Sequence, residues 1–244
     1  MSISREYMEP FKGVKDFKKN SLLPIWTGWV DNFMKNIHDV GWSPKVYLDI
    51  GSRDLIQTIE VAQYHPNTRF IAFEPVPEQY QICYERSLEW DNIEVYNFAI
   101  SDVEGQVDFW IVDENIGGSS LLEPIDVPLS SNTWKKIKVH SKRLDNILKF
   151  LNVESVDCIW MDTQGTELNA LKSLGDYIDD VLFIHTEASP SGYYKGHILK
   201  DELEEYLKQH GFDLEFIPCN GHPYGEGDLI ASKKQNARKL LNQQ

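Results

Sequence analysis

Residues 45–74, KVYLDIGSRDLIQTIEVAQYHPNTRFIAFE, run from a short apolar stretch through a glycine and a helical segment into a second apolar stretch. KVYLDI (45–50) has the length and composition of a buried strand, Gly51 breaks it, and residues 54–64 carry helical spacing. RFIAFE (69–74) is the next strand, and Pro75 and Pro77 introduce a helix that reaches about Trp90. Working outward, IEVYNFAI (93–100) reads as a third strand. QVDFWIVD (106–113) and KIKVHS (136–141) read as strands around a polar Gly/Ser/Pro loop at 114–133. A short helix at 143–151 precedes the apolar strand VDCIWMD (156–162), and a helix at 167–174 precedes VLFIHTE (181–187). After a helix at 200–210, FDLEFI (212–217) and DLIAS (228–232) close as an antiparallel hairpin. Continuous apolar strands alternating with helices predict an α/β, doubly wound, mostly parallel sheet covered on both faces, with an antiparallel edge from the C-terminal hairpin.

Upstream, residues 1–44 read as a polar, basic arm followed by an amphipathic helix at 21–40 that carries Trp26 and Trp29. Residues 45–233 form the main domain, and 234–244 are a polar tail. Composition narrows the function. Lys+Arg 24 against Asp+Glu 38 gives a net charge of −14 over 244 residues, which argues against nucleic-acid partners and anionic lipid surfaces. Cys83, Cys158 and Cys219 spell neither a disulfide framework nor a zinc motif and fit a reducing compartment. No apolar run approaches the ~20 residues of a membrane span, and the first residues lack a secretion core, so a cytoplasmic location is expected.

In open α/β sheets ligands bind beyond the carboxyl ends of the strands. Here those ends carry Asp49-Ile50-Gly51-Ser52, Glu74-Pro75, Ser101-Asp102, Asp162-Thr163-Gln164-Gly165 and Glu187-Ala188-Ser189. Clustered carboxylates repel one another, so acids recurring at four strand ends serve a ligand rather than the sheet. A dinucleotide fingerprint starting at Gly51 requires glycine at 53 and 56, where the chain has Arg53 and Ile56, so an NAD oxidoreductase is disfavoured. Glu74, at the end of the second strand, is placed to accept hydrogen bonds from ribose hydroxyls. An adenosine ligand without a pyrophosphate meets both conditions, and S-adenosylmethionine is one.

YLDIGSRD (47–54), FIAFEPVPEQY (70–80), FAISDVEG (98–105), GGSSL (117–121), KVHSKRLDNIL (138–148) and WMDTQGTELNALKSLG (160–175) occur in the order seen in FkbM-family methyltransferases, which the chain resembles over about residues 45–190. The resemblance implies a Rossmann-like class I fold, S-adenosylmethionine as cofactor with S-adenosylhomocysteine as product, and methylation of hydroxyl oxygens on sugars or polyketides. It makes Asp49, Gly51 and Ser52 the cofactor loop, Glu74 with Pro75 the ribose site, Asp102 with Ser101 the adenine contact, and Asp162 a neighbour of the methyl group. The family usually has glycine where this chain has Leu55 and a small polar residue where it has Arg53, which makes Arg53 a candidate partner for the cofactor's carboxylate.

A sugar hydroxyl needs help losing its proton, and Asp162, Glu187 and His185 are the candidate bases. Asp162 and Glu187 are also the candidate ligands of a divalent metal, a minor alternative that no compact motif supports. Gln164, Tyr193, Tyr194 and His222 are candidates for acceptor contacts, with Lys195, His197 and Tyr224 nearby in the same loops. The Glu167 carboxylate either serves catalysis or complements the dipole of the helix it opens. The leading expectation is O-methylation of a small-molecule or carbohydrate acceptor. The alternatives are N-methylation of an amine or peptide and a non-catalytic cofactor-binding scaffold.

Overall fold

A computed structural model describes residues 42–112, 116–125, 133–219 and 225–233. The expected helix at 21–40 with Trp26 and Trp29, the tail at 234–244, and His222 with Tyr224 lie outside the described residues. Seven strands form the main sheet: β1 (Val46–Ile50), β2 (Arg69–Phe73), β3 (Ile93–Tyr96), β7 (Cys158–Met161), β8 (Phe183–Ala188), β9 (Asp213–Pro218) and β10 (Gly227–Ser232). Their order is β3-β2-β1-β7-β8-β10-β9. The first five lie parallel, while β10 runs antiparallel to both β8 and β9. The C-terminal hairpin therefore supplies the antiparallel edge, with β10 on the inside and β9 at the border.

The fully apolar strands are apolar because both of their faces are covered. One face carries Tyr47, Phe70, Cys158, Trp160 and Phe183 and packs against α1 (Ile56–Ala62) and α2 (Pro77–Ser87). The other carries Leu48, Ile71, Ile159, Ile184 and Leu229. It packs against α3 (Leu144–Phe150), α4 (Glu167–Lys172) and α5 (Lys200–Gln209). Phe70, Phe73 and Phe183 are fully buried. Each contributes about 2–3 kcal/mol of transfer free energy, enough that a one-residue slip in register would be prohibitive. At the far end of the sheet, Asp157 Oδ2 accepts from the backbone N–H groups of Lys45 and Val46 at 2.7 and 2.8 Å, tying the start of β7 to the start of β1.

One strand differs from expectation. The run 93–100 is not continuous: β3 stops at Tyr96, and β4 (Ala99–Ile100) belongs to a second, three-stranded sheet. The physical cause is Asn97, whose side-chain amide donates to the carbonyls of Glu74 (2.8 Å) and Pro75 (3.1 Å) and bends the chain away from β2. The second sheet has the order β4-β6-β5, with β5 at Gly105–Val112 and β6 at Trp134–Lys142. Its inner face, Phe109, Ile111 and Val139, forms a separate small apolar cluster with Val76 and Ala99. Among the described residues, no helix is long and apolar enough to cross a membrane.

Candidate active site

Strand order reverses between β1 and β7, and the loops leaving these two strands meet there. The Asp162 N–H donates to the carbonyl of Ile50 at 2.9 Å. Gly51 has φ 91°, and a Cβ on it would lie 1.9 Å from the carbonyl oxygen of Asp162. Only glycine lets the two loops approach so closely. Beside this junction a cleft of about 600 Å3, part of it open to solvent, lies between the strand ends of the main sheet and the small sheet. Its walls are apolar at Phe98, Ile100 and Phe109, and polar at Glu74, Arg53 and Asp162.

The loop after β1 is held by backbone. The N–H groups of Gly51 and Ser52 donate to the carbonyl of Phe73 at 3.0 and 3.1 Å, so neither is free for a ligand. Arg53 and Leu55 both have positive φ, 50° and 66°. For a leucine that conformation costs roughly 1–2 kcal/mol. Leu55 is wholly buried, and burial contributes about 1.5–3 kcal/mol, which outweighs the strain. This explains how the chain departs from glycine there. Glu74 Oε2 accepts from the Arg53 N–H at 2.8 Å and Oε1 from the Val76 N–H at 2.7 Å. Burial pushes its carboxyl up to about 8 against those two hydrogen bonds. Asp49 stands under the loop rather than in the cleft wall. It accepts from the Thr58 hydroxyl, its Oδ1 has no hydrogen-bond partner among the described residues, and burial raises it to about 7.

The loop after β7 is held by side chains. Gln164, with φ 52°, donates through Nε2 to Asp162 Oδ1 (2.9 Å) and to Glu187 Oε2 (2.7 Å). Burial raises both carboxyls, and the neighbouring carboxylates raise Glu187 further. Glu187 and Gln164 line a smaller pocket of about 220 Å3, part of it open to solvent, together with Glu167, Glu226 and His197. Glu167 Oε1 accepts from the N–H groups of Thr163 (3.2 Å) and Gly165 (3.0 Å) and from the Thr163 hydroxyl (3.0 Å), which ties its carboxylate to the loop. Burial holds it at about 6.

Several candidates sit elsewhere than the sequence suggested. His185 does not face the cleft: its Nε2 lies 2.7 Å from Asp228 Oδ1, and its ring packs 4.3 Å from Trp160. Tyr194 is not an open stacking platform. It is buried, with Trp134, Tyr193 and His197 around its ring. Its hydroxyl, 2.7 Å from the carbonyl of Gly118 and 3.1 Å from Gln164 Oε1, shares one proton between them. The backbone around it pairs with residues 123–125, so this loop clasps the strap Ile116–Ile125 over the cleft. Lys195 pairs with Glu123 at 2.8 Å. The cleft wall includes Pro75 and ends at Ile100 without reaching Ser101 or Asp102, whose Oδ1 accepts from Asn169 at 2.9 Å. Phe98, Phe109 and Leu121 also line the cleft, and their role is not legible in the sequence because an apolar residue facing a ligand site carries the same signal as one facing the core. Among the described residues no three His, Cys, Asp or Glu side chains converge to hold a metal. Between Asp162 and Glu187 the bridge is an amide donor, which takes the contacts a cation would need.

The family model for the methyltransferase FkbM domain matches residues 44–214. The chain belongs to the FkbM methyltransferase family. It is therefore an enzyme, an S-adenosylmethionine-dependent methyltransferase, as the strand-end motifs implied. Among curated proteins, it is 30% identical over 197 residues to the 2-O-methyltransferase NoeI of Sinorhizobium fredii, covering 76% of this chain and 78% of that one. It is 23% identical over 205 residues to the AMB antimetabolite synthetase AmbE of Pseudomonas aeruginosa, covering 69% of this chain but 10% of the synthetase. Among solved structures, the cofactor-bound protein Rv0187 from MTB shares the fold with a TM-score of 0.53 at 12% identity, over 91% of this chain and 86% of that one.

Proposed function

We propose that this methyltransferase acts on a hydroxyl oxygen of a carbohydrate or related small molecule, with the cofactor in the cleft between β1, β2 and the small sheet. The observation that carries the reading is the cleft itself. It combines apolar walls at Phe98, Ile100 and Phe109 that suit an adenine ring with the Glu74 carboxylate at the end of β2. It also has a bare glycine at the strand switch. The carboxylate retains lone pairs beyond the two that the Arg53 and Val76 N–H groups use, so it has capacity for ribose hydroxyls. Arg53 on the same wall is the group to meet the cofactor's carboxylate, with its side chain 44% exposed and, among the described residues, no closer ion-pair partner than Asp54 at 4.0 Å. The likeness to NoeI, a 2-O-methyltransferase, supports an oxygen acceptor.

When bound, S-adenosylmethionine supplies an electrophilic methyl group on a sulfonium. The chain's part is alignment, water exclusion and proton removal. Asp162 faces the cleft and takes the proton of the acceptor hydroxyl; burial has raised its basicity for that task. The strap Ile116–Ile125, clasped by Tyr194, covers the site against water. The carboxylates gathered at Glu167, Glu187 and Glu226 favour a second reading, an amine acceptor drawn by its charge. A cytoplasmic enzyme fits the three free cysteines.

Calorimetric titration with S-adenosylhomocysteine, with NADH as control, tests the cofactor assignment. Saturable binding is expected, weakened at least about tenfold in Glu74→Ala, because losing hydrogen bonds to a charged group costs about 1.5–3 kcal/mol. Unchanged affinity in that variant would remove the ribose role. Mass analysis of sugar and amine acceptors incubated with S-adenosylmethionine then separates oxygen from nitrogen methylation.

A further inference from the structure

Asp162 lines the cleft, Glu187 lines the smaller pocket, and Gln164, itself in the lining of the smaller pocket, bridges the two carboxylates. Its Nε2 donates to both carboxylates, at 2.9 and 2.7 Å. An amide nitrogen gives both hydrogens only to acceptors, so the two oxygens it touches are held unprotonated. The opposite orientation would press Oε1 against two carboxylate oxygens; in the observed one Oε1 lies 3.1 Å from the Tyr194 hydroxyl. The residue is further pinned through its backbone: its carbonyl accepts from the Ser120 hydroxyl at 2.8 Å, and it adopts a left-handed φ of 52°. Non-glycine residues persist in that conformation where the surroundings demand it.

We propose that Gln164 is a positioning residue for methyl transfer, a neutral clamp that holds Asp162 and Glu187 as acceptors and leaves the second oxygen of Asp162 for the acceptor hydroxyl. The proposal rests on the methyltransferase reading of the cleft. Neutrality is the point of the amide. A lysine or arginine there would also bridge two carboxylates, but its charge would strip them of basicity. An apolar residue would leave two buried like charges to share a proton. Among the described residues, the groups facing the pair are Arg53 from the loop after β1, Glu167 of α4, His185 of β8, Asp228 of β10, Glu226 before β10, and the Tyr194 phenol. Carboxylates outnumber cations in that set. A neutral donor orients the pair without quenching it.

The test is a carboxyl 13C NMR titration of the full chain, native and with Gln164→Leu, alongside S-adenosylhomocysteine calorimetry. In Gln164→Leu the apparent titration of the Asp162–Glu187 pair is expected to move up by about one unit, a tenfold gain in proton affinity. Affinity for S-adenosylhomocysteine stays within about threefold, since Gln164 is not part of the cleft wall. Titration within about 0.3 unit of native would overturn the proposal, because a purely structural role would leave the proton affinities in place. Should Gln164→Leu fail to unfold cooperatively, Gln164→Asn decides by the same criterion. Its amide is one methylene too short to span both carboxylates, and an upward shift is again expected. Absence of S-adenosylhomocysteine binding in the native chain would sink the cofactor assignment of the cleft instead, while the titration would still report on the clamp.

Discussion

After β1, the Glu74 carboxylate is held by two backbone N–H groups, those of Arg53 and Val76. After β7, Asp162 and Glu187 are held by one side-chain amide, that of Gln164. Both loops use left-handed residues to turn sharply, Gly51, Arg53 and Leu55 in one and Gln164 and Gly165 in the other. The difference lies in what stands behind the turn. Gly51 faces the carbonyl of Asp162, main chain against main chain, whereas Gly165 faces the ring of His197. Main chain hydrogen-bonded to the ends of adjacent strands cannot give way without disturbing them, and a side chain at a pocket edge can. The first loop is therefore expected to be the more rigid of the two and the second the more adjustable.

The sharpest way to break this comparison is alanine at each glycine. Gly51→Ala puts Cβ 1.9 Å from a carbonyl oxygen, at φ 91°. It is expected to cost about 4 kcal/mol or more and to abolish S-adenosylhomocysteine binding. Gly165→Ala meets the His197 ring at 2.9 Å, a side-chain contact expected to relax by movement of that ring. The backbone strain left over should then lower stability by about 2 kcal/mol. Denaturant unfolding of the two variants checks the difference, and equal losses would mean that the second loop is as rigid as the first.

Protonation sharpens the contrast next. Burial raises Glu167 to about 6, Asp49 and Glu226 to about 7, and Glu74 to about 8. In the unfolded chain carboxyls titrate near 4, so between about pH 4 and 8 the folded state binds more protons than the unfolded state. Stability must therefore fall as pH rises through this window, and the melting temperature should be several degrees lower at pH 8.5 than at pH 5.5. Adding S-adenosylmethionine, whose sulfonium favours ionised carboxylates, should oppose the fall more than S-adenosylhomocysteine does. Calorimetry in buffers of different ionisation enthalpy reads the protons released, and equal release by the two ligands would detach these carboxylates from the cofactor's charge.

The smallest effect belongs to the clasp. Tyr194→Phe keeps the ring contacts with Trp134 and His197 and removes only the hydroxyl on Gly118 and Gln164. A loss of about 1 kcal/mol is expected in thermal or denaturant unfolding. A loss several times larger would show that the strap, and not only the amide, depends on that phenol.

Much of this was legible without coordinates. The strands ending at Ile50, Phe73 and Met161 announced themselves as apolar runs between helical stretches. Such periodicity is a local property of burial on both faces of a sheet. The acids at their ends were equally plain. The break at Asn97 was not, because it depends on two carbonyls more than twenty positions away, at Glu74 and Pro75. For the same reason His185 looked like a base until Asp228 took its ring nitrogen across the β8–β10 pair.

What a chain of this kind writes locally is therefore its fold class, the family motifs and the roster of acids near the switch point. What it does not write is which acid faces which cavity. Asp49 turns under the loop to Thr58, Asp162 opens on the cleft, Glu187 turns to the smaller cavity, and Gln164 joins the last two. Those outcomes depend on strand order and on hydrogen bonds between residues far apart in sequence. Burial and periodicity act residue by residue, but the convergence of distant polar groups exists only once the sheet has assembled.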